Sequence, residues 1–386
     1  MNKNITIIGA GLAGSEAALQ LATHGFEVTI YDAKPVRLDA YKLDTAAELV
    51  CNNSFGEFDL TKPSGMLLAE LKMVQSEIIK IADKNALQDL RFLAVDVQTF
   101  SSAVSAALKE VGVTIVSKEL QILPKARPLI IASGPLTNDS LAQNISNTFN
   151  INYSQFSDAC CPIIDINTVD FKNPNIIKKS NDLYELVIDD VTFYAFYTAL
   201  LQGSLSLSQH TLQEYDFENI CTIEALAKQG EDVLLQKRFI VEDGKHILYL
   251  RRESAITNGF IIVGCTTMLN NSSQRVAFFT LPGLSDCKFI RYGRIHRNTC
   301  FKSPGHLDCF YNIIGTDVYL IGQISGIDGY SAAISSGYIA AQRILQGEAL
   351  KPYSQNCMMG ALARYVSNVK TTDYQPMGAS FSLLKM

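Results

Sequence analysis

Gly9, Gly11 and Gly14 sit in the run Ile5-Thr6-Ile7-Ile8-Gly9-Ala10-Gly11-Leu12-Ala13-Gly14. Asp32 closes a second run, Glu27-Val28-Thr29-Ile30-Tyr31-Asp32, eighteen residues past Gly14. Glycines at this spacing can serve a phosphate. Gly9 permits a tight turn, Gly11 lets a pyrophosphate approach the backbone, and Gly14 lets a helix pack on the strand with its unpaired N–H groups toward the phosphates. An acid at the position of Asp32 accepts the ribose hydroxyls of an adenosine. A bare glycine turn can also pack a helix and hold nothing. The strands on both sides and the acid favour a dinucleotide site.

The elements that must carry these residues follow from the apolar pattern. Residues 1–35 read as strand, helix, strand. Residues 62–84 read as one helix, with Met66, Leu67, Leu71, Val74, Ile78, Ile79 and Ile81 at helical spacing, and 98–110 as another. Val113–Val116 and Leu129–Ala132 read as buried strands, the latter entering a second glycine turn at Ser133-Gly134-Pro135. From about 136 to 285 the pattern changes to short strands, mixed helices and polar loops. Alternation returns with Asp317–Ile321, a strand that enters Gly322-Gln323. Gly326, Gly329 and Gly337 then flank a small-residue helix, Ser331–Ala341. The expected fold class is α/β: a discontinuous dinucleotide domain, 1–135 and 286–386, with residues 136–285 inserted as an α+β domain. A turn contributed by the far end of the chain suits a long cofactor and helps hold negative charge on a reduced ring. FAD is the first choice, and NAD as sole cofactor the second.

Composition narrows the class. The chain has 386 residues, 47% apolar and 18% charged, with net charge −5. That is a globular profile with length for two or three domains. It lacks an apolar run long enough to span a bilayer, and its start enters a strand directly, so no membrane role and a cytoplasmic location are expected. The nine cysteines show no metal or disulfide-framework spacing and are expected as free thiols, with Cys160-Cys161 as buried packing. A net acidic chain can still bind RNA through a local basic patch. Lys237-Arg238, Arg251-Arg252 and the series Lys288, Arg291, Arg294, Arg297 and Lys302 are candidates for phosphate contacts or solvated faces.

Several segments, in order along nearly the whole chain, resemble one family. They are Gly9–Ala18, Glu48-Leu49-Val50-Cys51-Asn52-Asn53-Ser54, Leu281-Pro282-Gly283-Leu284, Arg291-Tyr292-Gly293 with His296-Arg297-Asn298-Thr299, Gly322-Gln323 with Gly326 and Gly329-Tyr330, and Gln375-Pro376-Met377 with Phe381 and Leu383-Leu384. Together they resemble the bacterial folate- and FAD-dependent RNA uracil-5-methyltransferases, the TrmFO family. The resemblance implies a glutathione-reductase-like, Rossmann-like FAD domain with an inserted domain. It implies methylenetetrahydrofolate as carbon donor, reduced FAD as hydride donor, NAD(P)H to re-reduce the flavin, and 5-methyluridine in RNA as product. It places Cys51 beside the flavin as a catalytic thiol, either nucleophile or acid/base partner. His296 with Arg297 and Asn298 would face the flavin and the folate pterin. Asn53, Gly134, Gly322, Gln323 and Gly329 join Gly9, Gly11, Gly14 and Asp32 as cofactor-binding residues. The chemistry suits these residue types. Carbon 5 of uracil becomes nucleophilic when a thiolate adds at carbon 6, the captured methylene needs a hydride, and the carbon 5 proton needs an acceptor.

The chain also departs from the family. The family's second thiol lies in Phe-Glu-Gly-Cys-Met-Pro-Ile-Glu. Here the segment is Phe217-Glu218-Asn219-Ile220-Cys221-Thr222-Ile223-Glu224, and the second catalytic candidate, Cys221, is shifted by one residue. One residue reverses a strand face or turns a helix by about 100°. A glycine-rich family segment becomes Leu87–Val97 without its glycines, Asp32 replaces a glutamate, and Lys237–Ser273 is short. These changes fit a paralog with another RNA target, in ribosomal RNA or in tRNA. Two alternatives stay open: an NAD(P)H-dependent flavin oxidoreductase that has lost methyl transfer, and a non-enzymatic RNA-binding factor that holds FAD structurally.

Overall fold

The computed structural model describes residues 3–34, 43–89, 91–206, 222–242, 244–371 and 374–385. Short apolar runs form strands, and the central ones are buried where helices cover both faces of a parallel sheet. Five of them make a parallel sheet in the order Val318–Leu320, Leu129–Ile131, Asn4–Ile8, Glu27–Asp32, Thr114–Ser117. Because the strands are parallel, the turns after Ile8, Asp32, Ile131 and Leu320 all leave from one edge. A ligand binds outside that edge in such sheets. The helices Leu12–Thr23 and Tyr330–Gln346 pack together on the sheet. Glycine permits the contact: a Cβ on Gly337 would lie 2.3 Å from the Ala13 carbonyl oxygen.

A second sheet is antiparallel. Its order is Phe289–Arg291, Ile163–Asp165, Gly259–Ile262, Lys245–Ser254, Leu183–Ile188, Ile176–Lys178, with Ile240–Glu242 also pairing with Lys245–Ser254. Helices Asp190–Gln202, Ile223–Gln229 and Asn271–Phe278 build a core with it around Phe196, Leu250, Phe260 and Phe278. The first core gathers residues from both ends of the chain, Ile7 and Ile30 with Ile334 and Leu362, and includes Leu141 and Ile145. Between the sheets runs a two-stranded ribbon, Tyr153–Ala159 against Ile295–Phe301.

The expected single helix over 62–84 is two helices, Pro63–Met73 and Glu77–Lys84. Gln75 takes a positive φ of 61° between them. The buried Glu16 carboxylate explains the break. It accepts from Ser76 Oγ at 2.8 Å and from the Ile78 N–H at 2.8 Å, so the second helix must begin there. Apolar spacing cannot register a stop imposed by a distant acid. The strand expected as buried over Val113–Val116 is Thr114–Ser117, a mostly exposed strand at the edge of the parallel sheet. The other expected elements stand, with ends moved by a few residues. Cys160 and Cys161 are buried free thiols, with Cys161 packed against Ile163 and Ile261. No helix among the described residues is long and apolar enough to cross a membrane.

The two halves meet at a buried polar cluster. Arg251, on the second sheet, donates through Nε to Asn53 Oδ1 at 3.0 Å and pairs with Asp89 at 3.4 Å. Asn53 Nδ2 donates to the carbonyls of Val95 at 2.7 Å and Arg252 at 2.6 Å. Removing one partner of such a pair strands the other charge away from water, at about 3–5 kcal/mol. Asp89→Ala is therefore expected to lose about 3–5 kcal/mol in denaturant unfolding. A loss within error of zero would show that the cluster is not closed to water.

Candidate active site

The turns at the sheet edge line an elongated cleft with about 1340 Å³ of empty space, counting the part open to solvent. Gly9, Gly11, Asp32, Gly134, Gly322 and Gln323 line it. Gly9 takes φ +99°, and a Cβ there would lie 2.3 Å from the Ala132 carbonyl oxygen, so strand and turn touch backbone to backbone. Gly11 is the N-cap of the helix Leu12–Thr23 and provides no capping side chain. A Cβ on Gly11 would meet no protein atom within 4 Å, so it would project into the cleft. Asp32 accepts from the Ala10 N–H at 2.6 Å and the Lys34 N–H at 2.9 Å. These contacts fix the carboxylate and leave lone pairs for further donors. An open helix N-terminus, a glycine cradle and a fixed carboxylate fit the phosphates and ribose of FAD.

At the inner end the cleft is lined by Cys51, Asp158, His296, Asn298 and Tyr330. Tyr330 begins its helix one residue after Gly329, and its hydroxyl accepts from the Cys51 N–H at 2.9 Å and donates to the Asn52 carbonyl at 3.2 Å. Arg291 holds the Val50 carbonyl at 3.2 Å. These contacts fix the Cys51 segment from both sides. Cys51 Sγ lies 3.9 Å from Asp158 Oδ2 as a hydrogen-bond donor. Burial pushes the Cys51 thiol well up, the nearby acids push it further, and Arg291 opposes them. Burial and then Asp328 raise Asp158 to about 6. His296 faces Asp158 across the ribbon. Burial, with Arg291 and Arg294, lowers its pKa and favours the neutral ring. Its Nε2 is buried with no hydrogen-bond partner among the described residues. An orphaned ring nitrogen on a cleft wall suits a flat polar heterocycle.

Four expected residues do not line the cleft. Gly14 packs: its Cβ would lie 2.1 Å from the Gly9 carbonyl oxygen. Asn53 is spent on Val95, Arg251 and Arg252. Arg297 points out to Asp139 at 2.7 Å. Gly329, at φ +94°, caps the helix of Tyr330. Cys221 lies outside the described residues. Asp158 and Tyr330 were not among the expected site residues. Strand register and a helix start place them, and no local spacing marks either.

The sheet order, the glycine turn and the paired acid define a dinucleotide-binding α/β protein with a second, antiparallel core. Its sequence matches the glucose inhibited division protein A family over residues 4–349. It is 34% identical over 403 residues to the methylenetetrahydrofolate–tRNA-(uracil-5-)-methyltransferase TrmFO of Lactobacillus gasseri, spanning 100% of this chain and 92% of that one. The TrmFO of Bacillus pumilus is 34% identical over 405 residues, spanning 100% and 93%. The fold is similar to that of Aquifex aeolicus GidA, with a TM-score of 0.73 at 14% identity over 94% of this chain and 67% of that one. The chain belongs to the glucose inhibited division protein A family and is a TrmFO-like member of it.

The two glycines should separate binding from folding. Gly11→Val is expected to abolish uptake of added FAD, read by absorbance after desalting, while ligand-free unfolding is unchanged. Gly14→Ala is expected to lower the melting temperature. If Gly11→Val binds FAD like the parent, the cradle is elsewhere.

Proposed function

We propose that this chain is a folate- and FAD-dependent methyltransferase that forms 5-methyluridine in RNA. The observation that carries the reading is the meeting of a fixed thiol, Cys51, and His296, whose surroundings favour the neutral ring, in the dinucleotide cleft. The full-length similarity to TrmFO proteins supports the substrate class. Reduced FAD, when bound, supplies the hydride that turns a transferred methylene into methyl. Asp32 takes the adenosine ribose, and the helix behind Gly11 takes the pyrophosphate. His296 presents a neutral ring for stacking against the pterin of methylenetetrahydrofolate.

Cys51 is the catalytic thiol, as nucleophile at carbon 6 of uracil or as proton carrier for carbon 5. Cys221 is the second thiol of the reaction, displaced by one residue. NAD(P)H re-reduces the flavin, and the enzyme works in the cytoplasm. The FAD domain is drawn from both ends of the chain. Residues through Ile151 pack in its core rather than in an insertion starting at 136, and Phe289–Arg291 belongs to the antiparallel sheet. The inserted antiparallel domain contributes to the RNA surface. The RNA is tRNA or ribosomal RNA; of the cations expected to meet its phosphates, Arg251, Arg252 and Arg297 are instead paired with Asp89, Asp182 and Asp139.

Mass mapping of 5-methyluridine in tRNA and ribosomal RNA, with and without the gene, tests both activity and target. One position is expected to lose its methyl group without the gene and to stay unmethylated with Cys51→Ala. Unchanged 5-methyluridine at every position overturns the reading.

A further inference from the structure

Asp158 has no role in the reading above, yet it is the acid that touches the thiol. It sits near the end of Tyr153–Ala159, with His296 opposite it on the paired strand. Its carboxylate accepts from Cys51 Sγ at 3.9 Å and from the Ala159 N–H at 2.8 Å, and the Asn298 side chain also bonds to it. Asp328 bears on it from before the helix Tyr330–Gln346. Cys160 lies just past the end of the Asp158 strand, and Arg291 and Tyr330 also bear on Cys51.

We infer that Asp158 is the proton acceptor of the Cys51 thiol, so that the two groups hold one proton between them. The inference rests on the reading of Cys51 as a catalytic thiol. The S–H bond breaks, an O–H bond forms on Asp158, and the bonding pair stays on sulfur. The pair carries one negative charge before and after. That matters in a buried cleft, because ionising Cys51 to solvent would place a second negative charge beside the first. Arg291, the cation that favours the Cys51 thiolate, biases the shared proton toward oxygen. The thiolate made in this way can attack carbon or take the proton lost from carbon 5. Asp158 is free to accept only when ionised. Burial and Asp328 place that ionisation at about 6, so acceptance fails as pH drops through this region.

Asp158→Asn tests the inference through two readouts. In FAD-loaded, RNA-free protein, the rate of Cys51 alkylation by iodoacetamide is followed by peptide mass against pH. In the parent, alkylation is expected to rise as pH passes about 6 and Asp158 becomes free to accept the thiol proton; in the variant that step is expected to vanish and alkylation at about pH 7 to fall several-fold. Methyl transfer to RNA is expected to fall about a hundredfold, with KM for RNA unchanged. A merely structural role would leave the step near pH 6 in place. An alkylation profile that does not move, or methyl transfer at the parent rate, overturns the inference. If the Asn variant takes up no flavin, Asp158→Ser makes the same comparison. If the parent itself methylates no RNA, the functional reading fails, and the alkylation profile alone decides whether the pair shares a proton.

Discussion

The structure depends on the Asn53 amide between its two cores. Asn53 donates to a carbonyl from each half, Val95 and Arg252, and accepts from Arg251, whose guanidinium pairs with Asp89. Asn53, Val95, Arg251 and Asp89 are buried, so these groups cannot exchange a partner for water without leaving a polar atom unpaired. Two residues before it stands Cys51. The thiol is therefore held by an interaction that neither half provides alone. The same cluster explains why a residue in a family-like motif need not touch the ligand. Asn53 fixes the segment that carries Cys51.

The inner cleft is organised by charge as much as by shape. Cys51, Asp158 and Asp328 each have their ionised forms penalised by burial, and Arg291 is the cation that favours the thiolate. Such a cluster resists gaining net charge but readily moves a proton internally. Burial and two arginines lower the His296 pKa and favour its neutral ring, which suits stacking rather than ion pairing. The outer cleft works differently. Its backbone N–H groups and the fixed Asp32 carboxylate favour a bound phosphate and ribose without any titration.

Much of this was legible in the sequence, for a reason that can be located. Gly9, Gly11 and Asp32 act through backbone geometry over short spans, and short spans leave spacing in the chain. The same holds for Gly134 and Gly322, each at the end of an apolar strand. What was not legible depends on long-range placement. Asp158 reaches Cys51 across 107 positions of sequence. Tyr330 reaches the same residue across 279. The break at Gln75 answers to Glu16, an acid on another helix. Arg297 adjoins His296 in sequence, yet alternation along a strand turns it to the outside. No periodicity within a segment records these partners.

The central claim is that one cleft holds a flavin, a folate and a uracil within reach of Cys51. The most direct measurement is a reconstituted reaction with purified chain, FAD, NAD(P)H, target RNA and methylenetetrahydrofolate labelled in its methylene carbon. The account predicts that the label enters the methyl group of 5-methyluridine and that omitting FAD stops it. Label that never reaches RNA while the flavin turns over NAD(P)H would contradict it.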